Sequence, residues 1–161
     1  MAAAQVQTAT TFTTPSSPLP MSGLASFLNN IFASFSNLDQ TLTGVNFGAA
    51  NTDNPITISL PQGFTRYLVQ NVYISGASAD ISAATCSLWT GAGGTGVSIV
   101  PSASAVTVSA TADATVNNLQ SAPVTDSGTR SYTSTTLYFR TQTAASGSPT
   151  ASVTIRYASL P

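Results

Sequence analysis

From residue 55 onward the chain is a succession of short runs in which apolar and polar residues alternate, each closed by a turn signal. A side-chain period of two belongs to strands buried on one face, and helices cannot carry it. In "SVTIRY", residues 152–157, Val153, Ile155 and Tyr157 face inward while Thr154 and Arg156 face outward. "ITISL" at 56–60 alternates in the same way, and "TLYFR" at 136–140 is an equally clear strand. "RYLVQNVYIS" at 66–75 is β-branched and aromatic. Unbroken alternation there sets Leu68, Val72 and Ile74 on one face and Tyr67, Val69 and Tyr73 on the other. "ATCSLWT" at 84–90 gathers Ala84, Cys86 and Leu88 on one face. "GVSIV" at 96–100, "AVTVS" at 105–109 and "ATVNNLQ" at 114–120 are shorter strands. The turn signals are "PQG" at 61–63, "GAGGTG" at 91–96, "DSG" at 126–128 and "SGSP" at 146–149. Short strands at this spacing form a sandwich or a barrel. The expected fold is all-β, a jelly-roll-like antiparallel β-sandwich over residues 55–161, with an immunoglobulin-like sandwich as second choice.

The chain before residue 55 reads differently. Residues 1–20, "MAAAQVQTATTFTTPSSPLP", form an extended arm, because Pro15, Pro18 and Pro20 block helix. Residues 21–38 carry a helical rhythm: Leu24, Phe27, Leu28, Ile31, Phe32, Phe35 and Leu38 recur at i, i+3, i+4 and i+7. Ser22 is the N-cap, and Ser26, Asn29, Asn30, Ser34 and Asn37 fill the opposite face. So strong an apolar stripe must be covered. It packs on its own domain, or it forms an oligomer and anchor interface, most simply in a homotrimer. A membrane role is disfavoured, since the segment is short for a span and its polar face lacks Lys and Arg. Residues 39–54, with Gly44, Gly48 and Asn51, read as a linker closed by Pro55.

Charge narrows the choice of partners. Charged residues are 6% of the chain, against roughly 25% in ordinary soluble domains. The bases are Arg66, Arg130, Arg140 and Arg156; the acids are Asp39, Asp53, Asp80, Asp113 and Asp126. Scattered arginines and a net charge of −1 give no phosphate-binding patch, so no nucleic acid is expected, and no anionic membrane surface. A surface so poor in charge favours association over mutual repulsion, which suits a component of an assembly. Cys86 stands alone and excludes an intrachain disulfide. The start lacks the features of a signal peptide, and the sequence has no Asn-x-Ser/Thr sequon. Synthesis in a bacterial cytoplasm is expected.

Lys, Glu and His are absent. Nucleophile activation by imidazole, Ser-Lys dyads and Schiff bases therefore have no residues to work with. Aspartate pairs remain, but each Asp sits in a context where turn or cap duty is the plain reading. A loop calcium site from Asp53, Asp80 or Asp126 is conceivable, but no EF-hand or Gly-Asp repeat supports it. No enzyme activity, cofactor or metal site is expected. "GAGGTG" matches G-x-G-x-x-G through Gly91, Gly93 and Gly96, yet "VSIVP" after it is a strand, so the glycines make a hairpin. Trp89 ends an apolar strand and is expected in the core or an interface, in preference to an exposed sugar-stacking role.

Residues 60–100, "LPQGFTRYLVQNVYISGASADISAATCSLWTGAGGTGVSIV", resemble a recurrent module of small structural proteins of tailed phages. The matching residues are Leu60, Pro61, Gly63, Phe64, Arg66 and Tyr67, then Gly93, Gly94, Ile99 and Val100, with "TLYFR" resembling a later strand of the module. The resemblance implies a virion structural protein on the capsid exterior or neck, such as a capsid decoration or cement protein or a head fibre. Its implied partners are its own copies, as a homotrimer, and the major capsid protein or other virion proteins. The alternative is a tail-fibre or adaptor module that recognises host glycan or protein.

Overall fold

The computed structural model describes residues 37–108, 114–116 and 131–160. Eight strands build it: β1 (Asn37–Asn46), β2 (Thr52–Thr57), β3 (Arg66–Ser75), β4 (Thr85–Gly91), β5 (Thr95–Ala105), β6 (Ala114–Val116), β7 (Thr136–Thr143) and β8 (Thr150–Leu160). They form two four-stranded antiparallel sheets, ordered β1-β8-β3-β6 and β2-β7-β4-β5. Strand 1 pairs with 8, 2 with 7, 3 with 6 and 4 with 5. That is one long antiparallel ribbon rolled up on itself, the jelly-roll arrangement of two Greek keys. The expected all-β sandwich is therefore present.

The core lies between the sheets. Val153, Ile155 and Tyr157 of β8 point inward, as their alternation predicts, and meet Leu88 of β4 and Leu137 and Phe139 of β7. Tyr67 packs edge-on against Tyr157, with ring centroids 5.7 Å apart. Both desolvated hydroxyls find an acceptor: Tyr67 donates to the Ser134 carbonyl (2.7 Å) and Tyr157 to that of Ser59 (2.6 Å). Ala84, Cys86 and Leu88 are buried together as expected.

Four expectations need correction. Residues 39–54 are not a linker: most of β1 and half of β2 lie in them. "TDNPIT" is a poor strand sequence, but pairing with β7 from Thr52↔Thr141 to Thr57↔Thr136 overrides propensity, and an edge position tolerates Pro55. Of the predicted helix, residues 21–36 lie outside the described residues, whereas Leu38 belongs to β1, opposite Tyr157. The faces of "RYLVQNVYIS" also differ from straight alternation. Tyr67, Val69, Val72 and Ile74 are all buried, because a β-bulge at Gln70 shifts the phase by one residue. Finally, "AVTVS" is not a separate strand. Val106 and Val108 follow β5 and are buried, with main-chain bonds to Ala84 and Ile81.

Candidate functional site

Of the stripe read as an interface, Leu24, Phe27, Leu28, Ile31, Phe32 and Phe35 lie outside the described residues. Leu38 is the member that can be located. It sits near the start of β1, half-buried and packed against the core. The N-terminal segment thus runs into an edge strand. Among the described residues β1 pairs on one side, with β8.

The register of β1 sorts its residues. Asn37, Asp39 and Thr41 are exposed, and Leu38, Gln40 and Leu42 are half-buried. Asp39 is held by Arg156 across the strand pair, Nε to Oδ1 and Nη2 to Oδ2, both at 2.9 Å. The same guanidinium lies 5.2 Å from the Tyr73 ring centroid, a cation–π distance. These bonds from Arg156 hold the Asp39 carboxyl below its ordinary range despite some desolvation. Thr41 and Thr154 share a hydroxyl bond of 2.8 Å. This outer face is mostly polar, and Asp39 and Arg156 on it engage each other.

The outer face of the other sheet carries Tyr138 and Trp89. Pairing lines up Pro55, Tyr138, Trp89 and Ser98 in one cross-strand row, and Asp53, Arg140 and Ser87 in the next. The β4–β5 turn folds back over this face. The Gly93 amide donates to Asp53, and a Cβ on Gly94 would stand 3.7 Å from the Trp89 indole and 3.9 Å from the Arg140 chain. Gly93, Gly94 and Gly96 have positive φ, which makes "GAGGTG" a tight hairpin as predicted. Trp89 therefore lies half-buried on the outer face, not in the core, and is pinned beneath its own turn. Its Nε1 donates to Ser87 Oγ at 2.8 Å, and Gln142 donates to the same oxygen at 2.9 Å.

The described aspartates are occupied, though not as turn residues alone. Asp53 accepts from Arg140 Nη1 at 2.7 Å. Burial pushes its carboxyl up, but the Gly93 amide and Arg140 outweigh that and hold it below the usual range. Asp80 does serve a turn: it accepts from the Ser82 amide at 2.8 Å, which lowers its pKa. Burial pushes the Cys86 thiol up to about 12, so its nucleophilic thiolate is suppressed. Among the described residues no three of His, Cys, Asp and Glu come together as a metal site would need. A shallow cleft of about 140 Å³, lined by Thr90, Val97, Ser131, Tyr132, Thr133 and Ser134, is smaller than the roughly 300 Å³ at which ligand pockets begin. The distinctive feature that remains is edge strand β1, where the N-terminal segment joins the body. Composition alone would not mark it. The signal was the alternation Leu38, Gln40, Leu42 against Asp39, Thr41.

No protein-family model matches the chain, and no curated protein matches it. Among solved structures, a chain of the cyanophage Pam1 capsid asymmetric unit is similar, with 17% sequence identity and a TM-score of 0.40. The match covers 96% of this chain and 98% of that one. A likeness at that score carries no argument about role.

Proposed function

We propose that the chain is a virion structural protein of a tailed phage. In this reading it is a capsid decoration, cement or head-fibre protein, whose jelly-roll body is borne on the shell by the N-terminal region. One observation carries the reading: in sequence the apolar stripe of residues 24–35 leads directly into β1, an edge strand of the jelly roll among the described residues. A closed body with an apolar lead-in is suited to attachment. The phage-like residues from Leu60 to Val100 support the same reading. So does the state of the described carboxylates, each engaged by an arginine or a backbone amide, which favours a non-enzymatic role. Attachment through apolar burial and main-chain pairing also suits a chain with 6% charged residues. Self-association as a homotrimer would use the same stripe. The tail-fibre alternative is less well supported, because Trp89, the obvious sugar-stacking residue, lies under its own turn.

The test is labelling of purified virions with antibody against the β-body, read by electron microscopy. Label on the shell or neck is the expected result. Label confined to the tail tip favours the receptor-binding alternative, and unlabelled particles overturn both. Replacing Phe27 and Phe32 by Asp in the full chain should cut shell occupancy about tenfold or more, as loss of buried aromatic anchors does.

A further inference from the structure

Among the described residues the four sheet edges are not equally protected. Edge strand β2 carries Pro55 near its middle, which removes an amide donor. β5 carries Pro101 and the positive-φ residue Ala103, with register shifts along its pairing to β4. β6 is three residues long. β1 has ten residues and no proline or lysine, and its single charge, Asp39, is already paired with Arg156 of the same chain. Regular pairing with β8 runs unbroken from Asn37 to Leu42, ahead of a bulge at Thr43–Gly44. Leu38 and Leu42 lie half-buried along this edge and pack against the core on one side.

We propose that β1 pairs antiparallel with β1 of a second copy, across a two-fold axis through Gln40, joining two jelly rolls along one continuous sheet. An axis normal to the sheet keeps the inward faces of both copies on the same side, so the axis must pass through a residue. Centring on Asp39 sets two carboxylates directly opposite each other, which destabilises. Centring on Thr41 sets Leu42 against Gln40. Centring on Gln40 sets Leu38 against the second copy's Leu42, and Asp39 against its Thr41. Centring on Leu38 or on Leu42 pairs that leucine with itself but leaves the other without an apolar partner in β1. The Gln40 register alone therefore matches both leucines with apolar partners while keeping like charges diagonal. The contact is isologous and uses different residues from the stripe of Leu24 to Phe35.

The full-length chain tests this by light scattering and cross-linking. Thr41→Asp brings its carboxylate opposite the second copy's Asp39 and should halve the assembly mass. Thr41→Lys loses the same Thr154 hydroxyl bond but faces Asp39 with a cation, and should keep the mass. Gln40→Cys sits on the axis and should oxidise to a covalent pair of chains, since Cys86 is buried. The Gln40→Cys link should survive Phe32→Asp, which strikes the separate stripe. Equal masses for the two Thr41 variants, or no covalent pair from Gln40→Cys, overturn the proposal.

Discussion

Asp53 and Arg140 show how one ion pair serves a charge-poor chain. Their side chains are 21% and 15% exposed, so the pair is neither a surface bridge worth little nor a dry one with a large desolvation cost. It ties β2 to β7, and through the Gly93 amide it clamps the β4–β5 turn over Trp89. Arg140→Ala should cost about 1.5–3 kcal/mol, the range for hydrogen bonds to charged groups. The pH dependence follows from the lowered Asp53 carboxyl. A folded pKa below the unfolded 3.8 stabilises fully above that value, and the benefit is lost as pH falls through the folded pKa. The stability gap between the parent chain and Asp53→Asn should therefore shrink from about pH 6 to about pH 2.5. Urea unfolding at both pH values measures it, and a gap independent of pH would contradict the assignment. Asp39 titrates in both proteins and cancels in the difference.

At the scale of elements, the strands with clean alternation were legible in the sequence. β7 and β8 stand where "TLYFR" and "SVTIRY" predict, because one face of each is buried and side-chain period fixes orientation. β1 was hidden for a physical reason: Leu38 fits both the helical rhythm behind it and the alternation ahead of it. β2 was hidden because Asp53, Asn54 and Pro55 disfavour strand locally, and long-range pairing decides. The bulge in β3 was illegible because nothing local marks Gln70; the need to bury Tyr67 and Val69 together with Val72 and Ile74 sets it. That account predicts an asymmetry. Gln70→Ala should shift stability by less than about 1 kcal/mol, as a half-buried polar site away from the core would. Deleting Gln70 removes the extra residue, and straight alternation then keeps Tyr67, Val69, Val72 and Ile74 on the buried face. Deleting Leu68 instead makes Tyr67 and Val69 neighbours and forces one of them outward. The Gln70 deletion should therefore be mild, whereas the Leu68 deletion should cost at least about 1.5–3 kcal/mol in urea unfolding, the worth of one buried side chain. A Gln70 deletion as costly as the Leu68 deletion would contradict this account of the bulge.

At the scale of the whole molecule, the roll closes with its last strand. β8 lies between β1 and β3, so each of those strands finds its main partner more than a hundred or about eighty residues away in sequence. β8 also supplies Ala151, Val153, Ile155 and Tyr157 to the core, while the other sheet has no strand from the last eleven described residues. Contacts of this range impose the loop-closure cost before they return any burial, which makes such β folds slow, in milliseconds to seconds. The two sheets share one core, so neither has an apolar face it can leave uncovered. Truncation after Gly147 should therefore abolish the cooperative urea transition of the entire chain, read by Trp89 fluorescence from the opposite sheet. A cooperative Trp89 signal surviving that truncation would show that the β2-β7-β4-β5 sheet folds by itself, and that the roll is two units, not one.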